Sequence, residues 1–127
     1  MEATVIVTFL ALGQYVLFGV QVGSLRGKHG IKAPSQSGHP EFERMNRVHL
    51  NTMEQLVVFI PALWMQAYFA NPLFGAVLGM VYIVGRFIYR AEYLRDPDSR
   101  GTGFTLSFIP SAALLIWALV AAVINMV

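Results

Sequence analysis

The sequence predicts an all-α integral membrane protein, a bundle of four membrane-spanning helices, and three observations carry that expectation. Apolar residues make up 56% of the 127-residue chain and charged residues only 13%, a balance suited to a bilayer. Four hydrophobic segments fall at about residues 3–25, 48–70, 73–93 and 104–126. Each can cross a hydrocarbon layer roughly 30 Å thick at about 1.5 Å per residue. All 9 lysines and arginines gather around two of the three connections. The chain reads as one transmembrane domain over residues 1–127.

The first segment follows Met1-Glu2-Ala3-Thr4 with no basic stretch ahead of it, so it reads as a retained helix, not a cleaved signal. Residues 27–40 are rich in Gly, Ser, His and Pro and form a long polar loop. The second helix begins as an exposed element near Pro40-Glu41, where proline's missing N–H is tolerated, before entering the apolar run around Val57-Val58-Phe59-Ile60. Asn71-Pro72 makes a tight turn into the third segment. A polar connection over 94–103, with Asp96-Pro97-Asp98 and Gly101-Thr102-Gly103, leads to the fourth. Pro61 and Pro110 should kink the spans that hold them. Gly75 and Gly79 form a small-xxx-small pair for close helix approach, and Gly13, Gly19, Gly23 and Gly85 permit the same.

Arg26, Lys28, Lys32, Arg44 and Arg47 surround the first connection; Arg86, Arg90, Arg95 and Arg100 surround the third. The positive-inside rule then puts both connections in the cytoplasm and both termini on the opposite side. With no cysteine there is no disulfide framework and no intrinsic thiol nucleophile, so any thiol chemistry must use a co-substrate's thiol. His29, His39 and His49 lack ligand spacing, and no metal site is expected. No Lys/Arg-rich tract suggests a nucleic-acid partner.

Two helices carry polar faces near the charged boundary. Glu43, Arg47, Asn51 and Glu54 share one stripe, with Glu43 and Arg47 placed as an i, i+4 ion pair and His49 beside them. Tyr82, Arg86, Tyr89 and Tyr93 share another, Arg100 follows in the loop, and Arg26 ends the first span at the same depth. One reading has Arg26, Arg86 and Arg90 snorkelling to lipid phosphates above an interfacial belt of tyrosines. It leaves Asn51 and Glu54 unexplained, since they lie deeper and neither is a usual headgroup anchor. The other reading is a binding site. Guanidinium forks take carboxylates and Glu54 takes an ammonium, which suits a small zwitterion.

The Phe42-Glu43-Arg44-x-x-Arg47-x-x-x-Asn51-x-x-Glu54 pattern resembles the second-helix signature of the MAPEG superfamily. This group includes microsomal glutathione transferases, leukotriene C4 synthase and five-lipoxygenase-activating protein. Arg86-x-x-Tyr89-x-x-x-Tyr93 with Arg100, continuing into Gly101-Thr102-Gly103-Phe104, resembles its third-helix and loop pattern, and the likeness covers nearly the whole chain. It implies a homotrimer of four-helix subunits with glutathione as co-substrate between neighbours. Arg26, Arg47, His49, Asn51, Glu54, Tyr89 and Tyr93 are its expected contacts, and Arg100 is the catalytic residue that stabilises the thiolate. A nearby guanidinium lowers a thiol's ordinary pKa of about 8.5.

Three positions depart from the pattern. Gly27 stands where leukotriene C4 synthase has a second arginine, Gln55 where several eukaryotic members have tyrosine, and His49 where that synthase has glutamine. These favour a general glutathione transferase, or a glutathione-dependent peroxidase, acting on hydrophobic electrophiles that arrive through the membrane lipid. The absence of a basic C-terminal tail suits a bacterial member in the inner membrane. The alternative is a non-catalytic lipid-binding accessory protein. A small multidrug exporter is disfavoured because residues 3–25 contain no carboxylate.

Overall fold

A computed structural model describes residues 1–127. Four helices account for nearly all of them: α1 (Glu2–His29), α2 (Pro40–Phe69), α3 (Pro72–Arg95) and α4 (Gly101–Met126). A single 3-10 turn over Pro97–Ser99 joins α3 to α4. The fold is all-α, as the four apolar segments anticipated.

Local chemistry sets the helix ends. Gly30 closes α1 in the left-handed region at φ 66°, where a residue without Cβ pays no penalty, and Ile31 N–H reaches back to the Arg26 carbonyl at 3.0 Å. At the start of α2, His39 Nδ1 accepts from Glu41 N–H at 3.2 Å, with Pro40 in the first turn. Asn71 Oδ1 accepts from Leu73 N–H at 2.9 Å, so the Asn71-Pro72 turn both stops α2 and caps α3. Pro61 and Pro110 sit inside α2 and α4 without interrupting either helix.

The helices run alternately up and down. Trp64 Nε1 donates to Thr8 Oγ1 at 3.0 Å and Asn125 Nδ2 to the Phe69 carbonyl at 3.4 Å, both at the end holding the two termini. At the other end Arg44 Nη1 donates to the Leu94 carbonyl at 3.1 Å, tying the start of α2 to the end of α3. All lysines and arginines lie toward that end. α2 and α3 form the central pair, each packed against both α1 and α4, while α1 and α4 scarcely meet.

α1, α3 and α4 are long and apolar enough to cross a membrane by length and composition. The first half of α2 is too polar for that test, with His49, Asn51, Glu54 and Gln55 among its residues. It is carried across by its neighbours, because its inner face, from Phe42 to Ala67, meets protein instead of lipid. Large apolar side chains such as Phe9, Val16, Ile116 and Leu119 are exposed around the outside, as a lipid-facing surface requires.

In lipid, helices associate by close packing and hydrogen bonds more than by burial of apolar area. The tightest approach is between α3 and α4. A Cβ on Gly85 would meet the Leu106 carbonyl carbon at 2.7 Å, and one on Gly103 would collide with the Tyr89 backbone. Gly103 therefore differs from its expected place in a polar connection: it is buried in the first turn of α4. Its N–H donates to Glu92 Oε1 at 2.7 Å, a carboxylate satisfying a helix N-terminus. Gly75 and Gly79 of the small-xxx-small pair do contact neighbours, Gln66 and Val7 respectively.

Candidate functional site

The polar centre of the bundle is Arg86 on α3, which is fully buried. Its Nη2 donates to Asn51 Oδ1 and Thr52 Oγ1, both at 2.9 Å, and its Nη1 to Ser107 Oγ at 3.3 Å. One guanidinium thus joins α2, α3 and α4. The planar fork suits this task, reaching three acceptors at fixed angles where an ammonium could not. No carboxylate forms an ion pair with it, and Nε has no partner. The reading of Arg86 as a lipid-phosphate anchor is overturned: its helix face points into the bundle, where Asn51, Thr52 and Ser107 accept its hydrogen bonds.

From this centre a ladder of two stacked tyrosines between two arginines runs to the charged end. The Arg86 guanidinium lies 4.2 Å from the Tyr89 ring, Tyr89 and Tyr93 stack with centroids 5.6 Å apart, and Arg100 lies 6.0 Å from the Tyr93 ring. Tyr89 is buried, Tyr93 half-buried and Arg100 exposed. Arg100 Nη1 also donates to the Pro97 carbonyl at 2.8 Å, which holds its side chain against its own loop. Gly103 seats the ladder by letting α4 press on the Tyr89 backbone.

On α2, Arg47 Nη1 and Glu54 Oε1 form an ion pair at 3.0 Å, each side chain about half exposed at 49% and 52%. The expected Glu43–Arg47 pair does not form. Glu43 Oε2 instead accepts from Gly38 N–H at 3.2 Å in the first connection, leaving Arg47 free to extend along the helix toward Glu54. Asn51 shares the helix face with this pair and accepts from Arg86, so it stands between the outer pair and the inner ladder.

Two sets of contacts gather six of the expected residues: the Arg47–Glu54 pair, and Asn51 joined through Arg86 to Tyr89, Tyr93 and Arg100. Neither set brings in the other two expected residues. Arg26 donates to the Ser35 carbonyl at 2.7 Å and packs over Phe42 at 4.6 Å, pinned to the α1–α2 connection. His49 turns away from the stripe to stack on Tyr15 of α1, ring centroids 4.4 Å apart. Thr52 and Ser107 are polar contacts that sequence reasoning missed. The available signal was small hydroxyl residues on two helices at the depth of an otherwise unpartnered arginine. No cluster of histidine and carboxylate residues could hold a metal.

The fold and these contacts define a class of small integral membrane helix bundles with a buried arginine at the centre and stacked tyrosines leading toward one membrane boundary. This chain belongs to one such group, the MAPEG family, whose model matches residues 4–120. Microsomal glutathione S-transferase 2 of Homo sapiens is 41% identical over 101 residues, covering 80% of this chain and 69% of the relative. Leukotriene C4 synthase of Bos taurus is 32% identical over 115 residues, 91% of this chain and 73% of the relative. An uncharacterised protein of Synechocystis sp. is 38% identical over 114 residues, 90% and 83% of the two chains.

Proposed function

We propose that this protein is a membrane-bound glutathione transferase, with glutathione-dependent peroxidase activity as a second use of the same thiolate, acting in a bacterial inner membrane. The observation that carries the reading is the half-exposed Arg47–Asn51–Glu54 stripe, backed by the buried Arg86 and by the ladder to Arg100. It offers cations for glutathione's carboxylates and a carboxylate for its ammonium, on a surface that a neighbouring subunit of a homotrimer can complete. In this reading Arg26 and His49, which lie outside this group in their own chain, serve a neighbouring subunit's site.

In this reading Arg47, Asn51, Glu54, Tyr89 and Tyr93 bind and orient glutathione, and the Arg100 guanidinium favours its thiolate. The thiolate sulfur bonds to the electrophilic carbon of a membrane-dissolved substrate while the leaving group departs with the electron pair. The thiol proton passes to water. The chain's contribution is positioning and electrostatics. The charged end and both its connections face the cytoplasm, where glutathione is abundant, and both termini face the other side.

A glutathione-dependent thermal shift on the purified protein, followed by turnover with an aryl halide and a lipid hydroperoxide, tests the proposal. Arg100→Ala should abolish most conjugation while glutathione still binds. Arg47→Ala or Glu54→Ala should weaken binding by about an order of magnitude or more, as expected when a partly desolvated charge loses its partner. Unchanged calorimetric affinity in both variants refutes the pocket, and binding without turnover favours the lipid-binding accessory alternative.

A further inference from the structure

The seam between α1 and α3 holds two cavities in line, neither of them part of the site above. At the charged end lies a cleft of about 510 Å³ whose polar lining is Gln21 and Ser24 of α1, Glu41 and Arg44 of α2, and Arg90 of α3. Deeper in the same seam is an apolar groove of about 440 Å³ lined by Phe9, Gly13, Leu17, Met80 and Phe87 among others. They share no lining residue but follow one another along both helices. Leu17 lies one turn below Gln21 on α1, and Phe87 one turn below Arg90 on α3.

The cleft carries unspent positive charge. Arg90 Nε donates to Gln21 Oε1 at 2.8 Å, which fixes the guanidinium across the seam and leaves both terminal nitrogens without a partner. Arg44 uses only Nη1, on the Leu94 and Arg95 carbonyls. Glu41 neutralises neither arginine, being engaged by Lys28 at 3.2 Å and His29 at 3.5 Å. Two guanidiniums with free N–H groups at a membrane boundary match a phosphodiester in charge and geometry. Below them, Gly13 keeps the groove open, with nothing within 4 Å of where its Cβ would stand.

We propose that this seam binds an anionic phospholipid, its phosphodiester held by Arg44 and Arg90 and one acyl chain lying in the groove past Gly13. A free inorganic anion makes no use of the apolar groove beneath the arginines. An anionic lipid satisfies both halves of the seam at once. Arg90, read from the sequence as a loose headgroup anchor, becomes one half of a built site.

Native mass spectrometry of the full-length protein in detergent, with phosphatidylglycerol and phosphatidylcholine of identical chains, tests the proposal. Phosphatidylglycerol should be retained preferentially. Arg44→Gln and Arg90→Gln should each reduce that preference about fivefold, the weight of one basic residue at an anionic surface. Gly13→Leu, which grows into open space and so leaves the fold intact, should weaken lipid retention while both arginines remain. Equal retention of the two lipids overturns the proposal, as does indifference to the arginine changes or to Gly13→Leu. Displacement of phosphatidylglycerol by millimolar inorganic phosphate, with Gly13→Leu having no effect, overturns it in favour of a simple anion site.

Discussion

Gly103→Ala should be among the most damaging single-methyl additions in this protein, and the geometry sets its size. The new Cβ would collide with the backbone N and Cα of Tyr89 and lie 2.8 Å from the Ile88 carbonyl carbon. These are helix backbone atoms with no rotamer to escape into, so α4 must move off α3. Overpacking of this kind costs about 1–3 kcal/mol. The same separation stretches the 2.7 Å bond from Gly103 N–H to Glu92 and the 3.3 Å bond from Arg86 to Ser107. Hydrogen bonds to charged groups contribute about 1.5–3 kcal/mol. The total is about 3 kcal/mol or more. Gly13→Ala is the matched control: it adds the same methyl mid-helix into open space, and helix propensity alone favours it by up to about 1 kcal/mol. Unfolding both variants by detergent titration measures the difference directly. If Gly103→Ala lies within about 1 kcal/mol of the unmodified protein, or shares the sign of Gly13→Ala, the close α3–α4 approach is refuted.

Arg86→Lys keeps the buried charge but cannot span Asn51, Thr52 and Ser107 together. It should leave the protein folded and lower glutathione affinity about tenfold, which corresponds to about 1.4 kcal/mol, because Asn51 loses the donor that orients it. Calorimetry reads this, and unchanged affinity would separate Asn51's orientation from binding. At the charged end, hydrogen bonding from Lys28 holds the Glu41 carboxyl below its ordinary value. A lowered folded value contributes stability above the ordinary carboxylate range and loses it as pH falls through the folded value. Amide exchange around residues 30–39 should therefore accelerate only on acidification below about pH 4.5, and Glu41→Gln should abolish that dependence.

Much of the architecture was legible because bilayers impose coarse constraints. Four apolar runs, a capping Asn-Pro turn and one-sided basic residues leave few arrangements for a chain this size. The depth and facing of single polar residues were not legible. Arg86 and Arg90 share a helix and differ by one turn, yet one is sealed in the bundle centre and the other bridges a surface seam to Gln21. Hydropathy averages over both. The Arg47–Asn51–Glu54 stripe was visible from helical spacing, whereas its ion pair depended on where Glu43 found a partner. That partner, Gly38, lies in a loop whose course the sequence does not state. Gly103 looked like loop glycine because its neighbours Gly101 and Thr102 are turn formers. Its burial followed from Glu92, eleven residues earlier, accepting its N–H.

The Arg44 side chain crosses from the start of α2 to the last carbonyls of α3, immediately before the 3-10 turn that leads to Arg100. It acts as a crossbeam between the two long connections at the charged end. The two connections at the mouth are braced by one side chain, as one frame with two edges instead of two independent flaps, and the brace ends five residues before Arg100.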